Sequence, residues 1–446
     1  MEGFVWFLIL VVGAAFGIPM AIRHFKDRSD NFGAASSGAF GTDDVAQRAW
    51  EGEIEGFELR LEIFEKGSGE NRRTGSRLML DGKGRVPPDI ALGVESSWQG
   101  LRKALGKNDV QVGDAEFDAA VKIRGPEDVV LATLGVEARA LVRDFVASGG
   151  VVESGNLVFH YEGAGIGGAP LQKEARLLAK VAKSMVVDSV PVALLRNVRT
   201  DPNSQVRLRN LAALLASHAA APETGQALEA ALSDRDPEVR LLAAQRADAS
   251  AAVQRTLEAL VDDREAAVAV RAAALERLSQ LFPYDAIAPL VRRALYQELE
   301  PLRRVAVEAA GRGRDASQLA SLHNLVATRD EALGRSLAKA LAAIGGSEAE
   351  SSLIALLQSG SDAVKREAAV GLAQAGTVRS VEPLLPLSQG VLGNAALKEA
   401  ARDAIRAIQS RLGDADGGRL SMVDERAGEG GLSVGAVANQ KEQERG

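Results

Sequence analysis

One pattern recurs along the second half of this 446-residue chain and limits what the chain can fold into. From about Pro191 an acidic turn is followed by an aliphatic residue and then, usually, a basic one. Two small residues come three and four positions on, and an apolar residue eight on. The aliphatic and apolar members are Val206 and Leu214, Val239 and Ala247, Val270 and Leu278, Leu302 and Ala310, Leu333 and Leu341, Val364 and Leu372, Leu397 and Ile405. Successive first members lie 33, 31, 32, 31, 31 and 33 residues apart. Positions i, i+4 and i+8 share one face of a helix. A second apolar-periodic segment lies between each pair, among them TGQALEAALSD, YDAIAPLVRRALYQ and EAESSLIALLQSG. Two antiparallel helices per period cannot bury their apolar faces alone, so neighbours must stack. The pattern predicts an α-helical solenoid of about seven units over residues 190–412.

The D-x-x-x-x-V-R-x-x-A-A rhythm of Asp234–Ala244 resembles the short bacterial HEAT-like repeats, the type also found in phycobilin lyases. The resemblance covers nearly half the chain. It implies a solenoid fold and fixes no activity, because such repeats serve many roles. The recurrent cation is Arg207, Arg240, Arg271, Arg303, Lys365 and Lys398, with Gly334 in its place in the fifth unit. Two readings stand. Each cation pairs with a neighbouring unit's acidic turn (Asp201, Asp234, Asp330, Asp362), or the six form a basic stripe that attracts an acidic protein partner along a concave surface.

Ahead of the array, Phe4–Ala21 is an uncharged run of 18 residues, long enough to cross a bilayer core. Arg23, Lys26 and Arg28 follow it and only Glu2 precedes it, the reverse of a secretory signal. The charge bias predicts one transmembrane helix within residues 1–26, N-terminus out, with the bulk of the chain cytoplasmic. A cleaved signal, and so a periplasmic body, is the competing reading. Residues 27–45 are Gly-, Ser- and Asp-rich and read as a flexible linker.

Residues 46–189 read as a small α+β domain with a trailing helix. Period-two alternation predicts a strand within Trp50–Lys66, and further strands at SRLMLDGKG, Asp89–Glu95, Phe117–Ile123, GVVES and NLVFHYEG. Helical spacing predicts a helix over Glu137–Ser148. Residues 413–446 are polar and Gly-rich and read as a disordered tail.

Few motifs point to chemistry. The chain has no cysteine, which excludes disulfides, thiolate nucleophiles and Cys-ligated metals. Gly163, Gly165 and Gly168 fit G-x-G-x-x-G, but the strand-like segment before them carries His160 and Glu162, and no further βαβ unit follows Asp188. The run therefore reads as a hinge rather than a dinucleotide site. His24, His160, His218 and His323 lie in separate segments, so no metal site is expected. A net charge of −7 with no basic block argues against nucleic acid. The expected function is a membrane-anchored protein-binding scaffold without catalytic residues or cofactor. The alternative is an enzyme or enzyme chaperone with its site in the α+β domain or at the junction with the solenoid.

Overall fold

The computed structural model describes residues 45–66, 73–94, 109–162, 168–297, 299–389 and 394–415. The apolar run Phe4–Ala21, most of the linker, the glycines from Gly163 to Gly167 and the tail beyond Ala415 lie outside the described residues. Among the described residues no helix is long and apolar enough to cross a membrane. The chain divides into two compact units, Met1–Ala247 and Asp248–Gly446.

The first unit is built on a seven-stranded antiparallel sheet in the order β1-β2-β3-β7-β6-β4-β5. Its strands are β1 (Val45–Ile54), β2 (Phe57–Lys66), β3 (Arg73–Asp81), β4 (Ala91–Gly93), β5 (Lys122–Arg124), β6 (Val151–Glu153) and β7 (Asn156–Glu162). Where the alternation predicts one strand over Trp50–Lys66, the structure has two. Glu55 and Gly56 both take positive φ, 51° and 83°, which closes a two-residue hairpin between Ile54 and Phe57. Ser154 and Gly155 do the same between β6 and β7.

The strand expected over Phe117–Ile123 is instead α1 (Ala115–Ala120) followed by β5. Polar bonds favour the helical turn locally. The Asp114 side chain caps the helix by accepting from the Phe117 amide, and Asp118 accepts from the Val112 and Gly113 amides at 2.8 and 3.0 Å. Phe117 is buried in the helix, as the strand pattern had also expected of it.

One sheet face carries Phe57, Leu59, Leu78, Leu80, Leu157 and Phe159, all buried. Against it pack α2 (Glu127–Thr133), α3 (Val136–Ala147) and α4 (Gly168–Ser184). The Phe145 ring of α3 meets Phe159 edge-on at 5.0 Å. Then come α5 (Val190–Thr200), α6 (Ser204–Ser217), α7 (Pro222–Ala231) and α8 (Pro237–Arg246). α2 packs on both α5 and α6, and one apolar core runs from Ile54 to Ala243.

The second unit is wholly helical among the described residues: α9 (Ala251–Asp262), α10 (Val268–Leu281), α11 (Tyr284–Leu295), α12 (Glu300–Arg312), α13 (Leu319–His323), α14 (Glu331–Ile344), α15 (Gly346–Ser359), α16 (Asp362–Ala375), α17 (Val381–Gln389) and α18 (Ala395–Ala415). The last helix takes in residues 413–415, which the composition had placed in the tail. All seven first members of the repeat, Val206 to Leu397, are buried on the motif helices α6, α8, α10, α12, α14, α16 and α18. In most of the units the motif helix packs more extensively on the helix before it than on the one after. The pairs are thus α5–α6 and α7–α8 in the first unit and α9–α10, α11–α12, α15–α16 and α17–α18 in the second, whereas α14 packs more on α15 than on the short α13.

Within the second unit the motif helices pack closely on one another, whereas α13, α15 and α17 barely touch. Small residues permit the close layer: a Cβ on Gly311 would stand 2.6 Å from the Ala340 Cα, and one on Gly334 2.8 Å from a Val364 methyl. In a curved stack the closely spaced layer lies inside. The motif helices α10 to α18 therefore form the inner layer.

Candidate functional site: the arginine ladder and the inner layer

The first four recurrent cations are held by backbone and turns. Arg207 is 3% exposed. It donates to both Asp234 carboxylate oxygens at 2.8 and 2.7 Å, and to the carbonyls of Asp201 and Pro202 at 2.9 and 3.2 Å. Arg240 donates to the Asp234 and Arg235 carbonyls at 2.9 and 3.1 Å. Arg271 reaches the Val261 carbonyl at 2.9 Å and Gln297 at 2.7 Å. Arg303 donates to the Gln297 carbonyl at 2.8 Å and to Glu300 at 3.2 Å. Each guanidinium thus satisfies carbonyls left open at the end of the preceding helix or in the turn after it.

Lys365 and Lys398 are half-buried and make no side-chain hydrogen bond or ion pair among the described residues. A lysine lacks the fork that grips two acceptors at once. Of the four acids named as partners, only Asp234 pairs with a recurrent cation. Asp330 instead caps α14 by accepting from the Leu333 amide at 2.9 Å. Burial tends to raise the Asp234 carboxyl pKa, but hydrogen bonds from Arg207 and from the Asp236 amide outweigh it and hold the group below the ordinary range.

Asp201 pairs with a residue the repeat pattern missed. Arg139 of α3 is 4% exposed and donates to both Asp201 oxygens at 2.8 and 3.2 Å, to Asp114 at 3.0 Å and to the Leu134 carbonyl at 3.0 Å. This is the Arg207 arrangement one step earlier, with a guanidinium shared between its own preceding turn and the next acidic turn. Ala138, Val142 and Val146 supply the buried i, i+4, i+8 row. The helical hairpin α2–α3 therefore occupies the position of a repeat before α5–α6. Asn197 completes the junction, donating to the Leu131 carbonyl at 2.9 Å and to Asn210 at 3.2 Å, while Asn210 donates to the Val206 carbonyl at 2.8 Å. The polar groups that converge here satisfy one another, which is the behaviour of a structural joint.

A second row lies one position further on, on the inner layer of the second unit. Arg304, Arg335 and Arg366 each stand two residues after a first member, at 31-residue spacing. Arg304 pairs with Glu308 at 3.2 Å, and Glu308 accepts from Ser336 of α14 at 2.7 Å. Arg335 and Lys339 share Glu367 of α16, each at 3.9 Å. The Arg335 Nε is shielded from water without a hydrogen-bond acceptor, and Arg366 makes no ion pair among the described residues. Arg335 and Lys339 of α14 thus share the carboxylate of Glu367, and Val370 on α16 is 41% exposed.

The three described histidines lie apart, and His24 is outside the described residues. His218 contacts Asp128 at 2.9 Å, His323 contacts Ser352 at 2.9 Å, and His160 sits opposite Arg77 across β3 and β7. Among the described residues no three His, Asp or Glu side chains are grouped as a metal would require.

No protein-family model matches the chain, and no curated protein matches it. Solved structures that share some likeness include an engineered protein at 18% identity and a TM-score of 0.35, over 70% of this chain and 89% of that one. A designed armadillo repeat protein matches at 18% identity and 0.31, over 49% and 100%. Human deoxyhypusine hydroxylase in complex with glycerol matches at 17% identity and 0.23, over 51% and 91%. The description as a helical repeat rests on the packing of this chain's own helices.

Proposed function

We propose that the chain is a scaffold of HEAT-like repeats that holds an acidic protein partner on the inner layer of α10 to α18. The observation that carries this reading is the row Arg304, Arg335 and Arg366 with Lys339. Arg335 and Lys339 have only the long contacts of 3.9 Å to one shared carboxylate, Glu367, and Arg366 makes no ion pair among the described residues. A partner carboxylate would supply what is missing, and electrostatic matching of this kind favours encounter and register. At the junction Arg139, Asp114, Asp201, Asn197 and Asn210 bond to one another in a buried cluster, which supports reading that cluster as a structural joint. The reading includes attachment by Phe4–Ala21, with the body in the cytoplasm, which a C-terminal reporter active only in the periplasm would contradict by lighting up. Tethering would raise the local concentration of any membrane-borne partner.

The test is a charge reversal, Arg335→Glu with Lys339→Glu and Arg366→Glu, in the full chain expressed in membranes. All three side chains are partly or fully exposed, so the helical signal should persist. Co-purification of the partner is expected to fall at least about tenfold. Retention of every specifically bound protein by the reversed variant would count against the proposal.

A further inference from the structure

The first unit carries a charged feature that the repeats do not explain. Helix α4 buries Leu171, Ala175, Leu178, Ala179 and Ala182 against the sheet. Its opposite face exposes Lys173, Arg176, Lys180 and Lys183, at positions i, i+3, i+7 and i+10, a single stripe along the helix. The one acid of α4, Glu174, is turned inward and accepts from the Tyr161 hydroxyl of β7. Lys183 pairs with Glu55 at 2.7 Å and Arg176 is also partnered, whereas Lys180 and Lys173 make no ion pair among the described residues. Four exposed cations with no exposed acid on the same helix stand out in a chain whose net charge is −7.

We infer that this stripe docks on an anionic lipid surface, the bilayer that the Phe4–Ala21 run is expected to enter. The inference rests on that anchoring reading. Two further facts favour lipid over another anion. α4 packs on β1, the strand that begins at Val45, directly after the tether. Residues 22–44 separate that strand from the apolar run, and a Gly- and Ser-rich chain of that length would have an r.m.s. span of about 25 Å. The stripe is therefore kept close to the headgroups, where cations beside an anionic leaflet are attracted within a Debye length.

The experiment places the full chain in vesicles of phosphatidylcholine alone or mixed with phosphatidylglycerol. A membrane-impermeant amine reagent then reports the modification rate of Lys173 and Lys180, with Lys339 and Lys365 as references. Modification of Lys173 and Lys180 is expected to slow roughly tenfold in the anionic vesicles and to recover at high salt, the references being unchanged. In Lys173→Gln with Lys180→Gln the protection of Lys183 should be lost while α4 stays folded. Flotation separates this inference from the anchoring reading. A chain that floats with both vesicle types but shows equal lysine rates overturns the stripe and leaves the anchor standing. A chain that floats only with anionic vesicles, in a salt-sensitive way, supports the stripe and overturns the anchor. Flotation with neither overturns both. Protection by soluble polyglutamate but not by anionic lipid would also overturn the inference, in favour of a protein partner.

Discussion

Replacing Arg139 by methionine is expected to destabilise the first compact unit by about 3–5 kcal/mol, the range for breaking a buried charge pair from one side. The reason is the state of Asp201 after the change. Its side chain is 1% exposed, and the two guanidinium bonds at 2.8 and 3.2 Å are what offset its desolvation. The Asn203 amide at 3.0 Å would remain its principal donor. Asp114 and the Leu134 carbonyl lose a donor in the same step. The paired substitution Arg139→Met with Asp201→Asn should recover part of the loss, because no uncompensated charge is then buried, and the two changes should be far from additive. Urea unfolding of the four chains gives the cycle. A single-variant loss within about 0.5 kcal/mol would show that the junction does not depend on this node.

The second large effect runs against the repeat pattern. Gly334→Arg restores the residue type found at the equivalent position of four other units, and a reading of the pattern alone would expect it to stabilise. The structure predicts a loss of about 3 kcal/mol or more. Gly334 is buried where α14 crosses α16, and any Cβ there stands 2.8 Å from a Val364 methyl that is itself packed. The inner layer would have to spread at that step, and a guanidinium would enter without the approach that Arg303 or Arg207 has to its turn. Gly225→Ala is the control. Nothing lies within 4 Å of that position in α7, so the ordinary helical gain of alanine over glycine, about 0.5–1 kcal/mol, should appear. Thermal unfolding distinguishes the signs; a Gly334→Arg chain as stable as the parent would contradict the close-packed layer.

The repeated helices were legible in the sequence because their apolar period is local and recurs seven times. Every first member from Val206 to Leu397 proves buried. The pairing of helices was less legible, since the spacing does not say whether a motif helix belongs with the segment before or after it. Arg139 escaped because the acidic turn that marks other units is absent before α3. Its signal is the Ala138, Val142, Val146 row, which begins 68 residues upstream of Val206, off the repeat spacing. The strand pattern misled at Phe117–Ile123, where side-chain caps on Asp114 and Asp118 outweigh alternation. The six recurrent cations were visible, but their roles were not. A buried arginine bonded to turn carbonyls and a half-buried lysine with no partner among the described residues have the same spacing. The row two positions after each first member was equally present in the sequence at Arg304, Arg335 and Arg366. Only the packing of α12, α14 and α16 shows that it faces the inner layer.

The central claim is that this inner layer is where a protein is held. A photo-reactive side chain at Val370, exposed on the inner layer, tests it directly, with Val378 in the turn before α17 as the comparison. In intact membranes the account predicts a discrete adduct from Val370 that disappears in the Arg335, Lys339 and Arg366 charge reversal, and none of the same size from Val378. The same adduct from both positions, or one from Val370 that survives the charge reversal, would contradict it.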